Sequence, residues 1–221
     1  MRAVLFDFGY TLFGHEPGPA VVRREAAALG VAVSAEEAVS IWGDIDAAAS
    51  TPAELARGRD LDAAVWRSRW PVIYAARDAQ VAGLGFALDR AFHDPAQWVP
   101  YADSASALAT ARAGGLRVGV ASNTGWDIRP VFAAHGMIDL VDAFTLSYEC
   151  GAVKPQPEFF AAACAALDAA PSATVIVGDD PTTDGRAREA GLAGAYLVDA
   201  STPLGAPHGL DSAVASILTP R

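Results

Sequence analysis

Polar residues suited to catalysis stand directly after, or shortly after, short apolar segments of this 221-residue sequence. They comprise an aspartate, a serine–asparagine pair, a lysine and a group of three aspartates: Asp7, Ser122, Asn123, Lys154, Asp179, Asp180 and Asp184. A carboxylate can attack phosphorus as a nucleophile, and a lysine supplies positive charge to an anionic group. Grouped carboxylates repel one another unless they share a cation, and magnesium prefers such oxygen ligands. These residue types point to metal-assisted chemistry on an anionic substrate, with Asp7 as the nucleophile.

The apolar segments themselves have the character of buried parallel strands. They are β-branched or bulky, are bounded by Gly, Asp or Ser, and cover residues 3–8, 116–121, 143–147, 174–178 and 195–198. Helical patterns alternate with the later strands, at residues 103–113, 127–135, 157–167 and 184–190. This alternation predicts a Rossmann-like parallel sheet in a three-layer α/β/α core. The carboxyl ends of such strands share one crevice, which would bring the polar residues together.

Residues 14–98 have a different composition from the rest of the chain. They lack β-branched runs, show helical patterns at residues 20–29, 35–49 and 61–76, and hold four of the five tryptophans. We therefore predict an α/β core of residues 1–13 and 99–221, with residues 14–98 inserted as a helical cap above the strand ends. Trp66 and Trp70 share one helix face, a spacing that favours packing over a substrate platform.

Bulk properties exclude several classes of partner. The formal net charge of −10 argues against nucleic acid and anionic membrane surfaces. No apolar run is long enough to span a bilayer, and Asp7 interrupts the first apolar segment before it resembles a signal peptide. Two cysteines, Cys150 and Cys164, do not make a disulfide framework, so we expect a cytoplasmic protein. The oligomeric state stays open.

Four segments, in this order, resemble the motifs of the haloacid-dehalogenase-like hydrolase superfamily: VLFDFGYTL, VASN, GAVKPQPEFF and VGDDPTTD. The resemblance covers the whole chain and includes a helical cap inserted after the first motif. It implies that Asp7 is a covalent nucleophile and that Ser122 binds the phosphate with help from the backbone N–H of Asn123. Lys154 would be a second catalytic group that clamps the substrate charge.

The same resemblance implies a magnesium ion and a substrate. The metal ligands would be Asp7, the backbone carbonyl of Gly9 and Asp179, with Asp184 as a further ligand or an anchor behind them. The expected reaction is hydrolysis of a small phosphorylated metabolite through a phospho-aspartyl enzyme.

Gly9 departs from the family pattern, in which phosphatases usually carry a second aspartate two residues after the nucleophile. That aspartate protonates the leaving oxygen and then activates water. Its loss predicts a slower phosphatase, one that recruits His15 or Tyr10 instead, or one limited to good leaving groups.

Two other functions remain open on the sequence. A 2-haloacid dehalogenase would use the same nucleophile without metal, but it would need a neutral fourth motif and an arginine early in the cap. A catalytically impaired binding protein would account for Gly9. Substrate specificity would lie in cap residues that the sequence cannot rank, among them Arg23, Trp42, Arg57 and Arg67.

Overall fold

A five-stranded parallel sheet forms the centre of the computed structural model, which describes residues 1–219. The strand order is β5-β4-β1-β6-β7, so that the first strand lies in the middle of the sheet. The strands are β1 (Ala3–Phe6), β4 (Arg117–Ser122), β5 (Ala143–Leu146), β6 (Thr174–Gly178) and β7 (Gly194–Leu197).

Helices cover both faces of this sheet. Side chains of β1 alternate between two apolar clusters, as the period of two in a strand requires: Val4 and Phe6 face one, Ala3 and Leu5 the other. The first cluster is closed by α6 (Ser104–Ala113), α7 (Arg129–Ala134) and α10 (Leu210–Leu218), and the second by α9 (Pro157–Ala166). The predicted three-layer α/β/α core is confirmed.

A helical insertion, residues 18–93, follows β1 in the chain. It is connected to the core by an antiparallel ribbon of β2 (Phe13–His15) and β3 (Trp98–Pro100). Its helices are α1 (Gly18–Ala28), α2 (Ala35–Ala49), α3 (Pro52–Leu55), α4 (Ala63–Ala75) and α5 (Leu84–His93). The insertion has its own apolar cluster, which includes Val22, Ile45 and Leu88. A Ser34–Glu37 capping box begins α2, which satisfies backbone groups that the first turn leaves free.

The predicted elements agree with the structure except in a few places. The helix expected at residues 184–190 is wrong: only the single 3₁₀ turn Asp184–Arg186 forms there. Gly185 lowers helix propensity, and the Asp184 side chain is held by Lys154 instead of capping a helix. The helix expected at residues 127–135 is shorter, Arg129–Ala134. A short helix α8 (Ser147–Cys150) continues β5 directly.

The ribbon β2–β3 and the helices α5 and α10 had no sequence prediction. Three-residue strands carry too few side chains to show a period, so the sequence does not predict the ribbon.

Cys150 and Cys164 are free thiols. Within residues 1–219, no helix combines the length and apolarity needed to cross a membrane.

Candidate active site

The predicted site residues meet at the carboxyl edge of the sheet. Asp7 directly follows the central strand, and its backbone N–H still donates to the Val177 carbonyl at 2.9 Å. Asp7, Ser122 and Asp179 line one cavity of about 380 Å³, together with Asn123 and Lys154. The position of β1 between β4 and β6 explains this convergence, because the segments after all three strands emerge side by side.

Lys154 is the electrostatic centre of the site. Its Nζ lies 2.7 Å from Asp7 Oδ1 and 2.7 Å from Asp184 Oδ1, and the side chain is almost fully buried. Burial by itself lowers the pKa of Lys154, but the two carboxylates more than offset that effect and raise it. Lys154 therefore carries its charge at neutral pH.

Asn123 fixes the lysine in place through its side chain. Its Oδ1 accepts from the backbone N–H of Lys154 at 2.7 Å, and its Nδ2 donates to the Lys154 carbonyl at 3.0 Å. This paired contact ties the loop after β4 to the loop before α9. The sequence assigned Asn123 a backbone role at the phosphate and did not predict this side-chain contact.

Three carboxylates surround a space suited to a cation. Oxygen atoms of Asp7, Asp179 and Asp184 all lie within 4.8 Å of one another. Burial raises the pKa of Asp184 to about 6, and burial also raises the pKa values of Asp7 and Asp179. Thr11 Oγ1 donates to Asp179 Oδ1 at 3.1 Å and orients that carboxylate. Asp184 is buried and Asp7 and Asp179 are half-buried, and these three acids against one lysine leave an excess of negative charge that a hard divalent cation would neutralise.

Asp180 stands apart from this cluster. Its Oδ1 accepts from the backbone N–H and the hydroxyl of Thr182, each at 2.7 Å, so it stabilises the loop after β6. These contacts give the Asp180 side chain a structural role, although it is one of the polar residues that the sequence marks as suited to catalysis.

Gly9 has a backbone conformation that residues with a side chain can also adopt. Its φ falls outside the left-handed region, and a Cβ at this position would meet only Trp98 Cζ3, at 3.9 Å. The neighbouring Tyr10, in contrast, has a φ of 54°. The glycine is therefore not required by the turn, and a side chain fits there.

His15 lines the same cavity and is held from both sides. Its Nδ1 donates to the Glu16 carbonyl at 2.6 Å, which leaves Nε2 as the acceptor for the Tyr10 hydroxyl at 3.0 Å. Burial lowers the pKa of His15, so the ring is neutral at pH 7. A neutral imidazole whose Nε2 accepts a hydrogen bond has no proton there to donate to a leaving group.

Aromatic side chains form much of the lining of the same cavity. All five tryptophans of the sequence line the cavity. Eight rings contact one another in a closed circuit, with neighbouring centroids 4.8–6.3 Å apart. This aromatic collar consists of the rings of six Trp, Tyr and Phe residues and of two histidines: Trp66, Trp70, Tyr74, Phe92, Trp98, Trp126, His15 and His93.

The collar combines residues from the insertion, the ribbon and the core. The expectation that Trp66 and Trp70 serve packing is incomplete: their ring centroids are 5.5 Å apart, and both rings also line the cavity.

Four residues of the insertion stand as specificity candidates that the sequence cannot rank. Of these, Trp42 lines the cavity, Arg57 pairs with Glu54 at 3.1 Å, and Arg23 and Arg67 are exposed.

Comparison with known proteins defines the class of this protein. The family model of the haloacid dehalogenase-like hydrolases matches residues 1–191. The chain therefore belongs to this family and is a hydrolase. No curated protein matches the sequence.

Solved structures with the same fold include both phosphatases and dehalogenases. A haloacid-dehalogenase-superfamily phosphatase from Thermococcus onnurineus is 23% identical, with a TM-score of 0.62 over 93% of this chain and 89% of that chain. The 2-haloacid dehalogenase from Pseudomonas syringae is 20% identical, with a TM-score of 0.64 over 99% and 98%. A dehalogenase with an intermediate complex reaches a TM-score of 0.71 at 18% identity, over 100% and 98%. At these identities the likeness concerns the fold alone.

Gly178 leaves the space that Asp184 occupies, which generates a first prediction. A methyl group at Gly178 would overlap Asp184 Cγ. We expect Gly178→Ala to displace that carboxylate and to lower kcat/KM for an aryl phosphate by about 100-fold, the usual effect of a small misplacement in an active site. Gly185→Ala is the matched control, since its nearest contact would be an ordinary 3.6 Å. A folded Gly178→Ala protein with wild-type kcat/KM would contradict the role of Asp184.

Proposed function

We propose that this hydrolase is a magnesium-dependent phosphatase of a small phosphorylated metabolite, with Asp7 as the covalent nucleophile. The observation that carries the proposal is the buried Lys154, which contacts Asp7 and Asp184 beside a third carboxylate, Asp179. Such a cluster of acids is costly to bury and suits a shared cation.

The residues present fit a magnesium ion. Asp7, Asp179 and the Gly9 carbonyl would hold it, with Asp184 as a ligand or an anchor that also positions Lys154. The ion would supply positive charge to the phosphoryl oxygens.

The chain's own groups account for the remaining chemistry. Lys154 binds Asp7 Oδ1, which leaves Oδ2 to attack phosphorus. The new bond joins this oxygen to phosphorus, the ester oxygen leaves with its electron pair, and Asp7 becomes an acyl-phosphate. Ser122 and the backbone N–H of Asn123 would bind the phosphoryl oxygens. Water then hydrolyses the acyl-phosphate, which returns the carboxylate and releases phosphate.

Residues 14–98 would act as a helical cap over the cavity. They supply most of its aromatic lining, so the cap would exclude bulk water and a protein substrate.

The dehalogenase alternative accounts less well for the site. That reaction needs no metal, and the sequence predicts for it a neutral fourth motif and a cap arginine. The fourth motif here contributes Asp179 and Asp184 to the cluster, and no arginine is among the cavity-lining residues of the described chain. A binding protein without turnover would retain the cluster, and the experiments below separate it from an enzyme.

Asp7→Asn is expected to lower the turnover of an aryl phosphate by on the order of 10³-fold or more, as removal of a covalent nucleophile does. The amide is nearly isosteric but cannot attack phosphorus. Asp180→Asn, a nearby aspartate outside the cluster, should retain most of the activity. Near wild-type turnover in a folded Asp7→Asn protein would refute the nucleophile.

Removal of divalent metal is expected to abolish turnover, and added Mg²⁺ should restore it. Calorimetric titration of the stripped protein would measure binding directly. Asp179→Asn should weaken binding because it removes a charged ligand, whereas Asp180→Asn should not. Full activity after exhaustive chelation would exclude this mechanism and favour the dehalogenase.

The absence of an acid at Gly9 predicts a strong dependence on the leaving group. An aryl oxide leaves without a proton, whereas an alkoxide needs one, so aryl phosphates should react faster than alkyl phosphates of similar size. Gly9→Asp should raise the alkyl rate selectively, by up to about 10²–10⁴-fold if the new acid is well placed. Gly9→Asn is the control, because asparagine has nearly the same size as aspartate but cannot donate a proton to the leaving group.

Equal wild-type rates on both substrates would show that another group donates the proton. His15→Ala would then slow the alkyl substrate more than the aryl one. An unchanged ratio in Gly9→Asp, measured in a folded protein, would contradict the assigned role of position 9.

A further inference from the structure

We propose that the organic part of the substrate is a neutral, flat aromatic ring, and that the aromatic collar binds it. The inference rests on the proposed phosphatase function, and it specifies the substrate class of that same site. Asp7, Asp179, Lys154 and the collar rings all line one cavity, and a Cβ at Gly9, two residues after Asp7, would lie 3.9 Å from the collar ring of Trp98. A phosphate group bound beside Lys154 would therefore direct its organic part toward the collar.

The collar rings face open space and are not simply core residues. Seven of the eight are partly exposed, and only Tyr74 is buried. They pack mostly edge-to-face or tilted against one another, as Trp66 and Trp70 do with an interplanar angle of 61°. Aromatic rings favour such offset and edge-to-face contacts, so a further ring would find partners of both kinds in this wall.

The polar atoms of the collar are largely bonded within the protein. Trp66 Nε1 donates to His93 Nε2 at 2.7 Å, and His93 Nδ1 contacts the Asp89 carbonyl at 2.7 Å. Trp98 Nε1 donates to the Phe92 carbonyl at 3.2 Å, and both nitrogens of His15 have partners. Trp70 Nε1 is buried and has no hydrogen-bond partner within the described residues. A sugar or other polyol would therefore regain few of the hydrogen bonds to water that it loses here. The surface that remains is mainly apolar ring face.

The charges around the cavity favour a neutral group. Its carboxylates are Asp7, Asp179 and Asp180, all in the core, and the described part of the collar offers none. Arg59 stacks on Trp70 at 4.8 Å but is not among the described residues that line the cavity. A second anionic group would therefore meet no positive charge at the collar, and a cationic group would meet ring faces but no carboxylate there.

The absence of an acidic side chain at Gly9 is consistent with an aromatic substrate. The oxygen of a phenol leaves without a proton, so an aryl ester would suit both the absence of an acid and the aromatic collar. The cavity of about 380 Å³ lies within the range of roughly 300–1,000 Å³ found for small-molecule pockets, so a small ring fits.

A test must separate recognition of the ring from the leaving group. Four phosphate monoesters share one two-carbon linker: 2-phenylethyl, 2-cyclohexylethyl and ethyl phosphate, and phosphocholine. Because each leaving group is a primary alkoxide, differences in kcat/KM among the first three report mainly on the distal group. We expect 2-phenylethyl phosphate to exceed ethyl and 2-cyclohexylethyl phosphate by about tenfold or more, the effect of one or two good aromatic contacts.

Binding gives a second readout that does not depend on turnover. Since all five tryptophans line the cavity, intrinsic fluorescence should change when 2-phenylethylphosphonate binds in the presence of Mg²⁺. Ethylphosphonate should bind about tenfold more weakly. Trp70→Leu should reduce this difference, whereas Phe86→Leu should not, since Phe86 is an exposed insertion aromatic outside the cavity. The wild-type comparison stands even if Trp70→Leu fails to fold.

Each outcome decides the proposal. Preference for the phenyl compounds in the phosphonate titration, and in kcat/KM if the alkyl esters turn over, supports it. Equal values for phenyl and ethyl, equal values for phenyl and cyclohexyl, or preference for phosphocholine would each overturn it. Absence of turnover on every ester and on an activated aryl phosphate would reject the phosphatase function, while the phosphonate titration would still decide the aromatic preference.

Discussion

The contact of Lys154 with Asp7 and Asp184 is the interaction on which the site depends. A buried ammonium group is stable only when it is paired and hydrogen-bonded, and this one lies 2.7 Å from each of two carboxylates. The three residues come from segments after β1, before α9 and after β6, so one charge cluster joins distant parts of the chain. Asn123 holds the lysine backbone, and Gly178 leaves room for Asp184. The residue types at positions 123 and 178 are therefore explained by the need to pair the buried charge of Lys154.

Two chemically different sets of side chains line the cavity, and the fold explains both. The sheet provides the charged set, because parallel strands direct the segments at their carboxyl ends to one edge. The insertion and its ribbon provide most of the aromatic set. Apolar rings over the site would reduce the access of water, which would strengthen the electrostatic interactions of Lys154 and the carboxylates. Under the proposed function the charged set would serve the anionic group, and the aromatic set would bind the rest of the molecule.

Part of the site could be anticipated from local sequence because strand geometry is regular. Asp7 and Asp179 follow buried strands and Ser122 ends one, so their convergence needs only the topology of a parallel sheet. The hydrogen bonds of Asn123 and the pairing of His15 with Tyr10 were beyond sequence reasoning, because they depend on distances between loops. Helix 184–190 was expected where one turn forms, since pattern alone did not reveal that the Asp184 side chain is drawn toward Lys154.

Local sequence is enough to infer the α/β core and the acidic and basic residues near its strand ends, because apolar period and strand-end position are local properties. The gathering of four of the five tryptophans into one collar depends instead on how distant segments pack. A spacing of four residues puts Trp66 and Trp70 on one helix face whether that face meets a core or a cavity. The other two tryptophans of the collar, Trp98 and Trp126, lie far along the chain, and the circuit of rings closes only because the ribbon and helices of the insertion pack over the sheet edge.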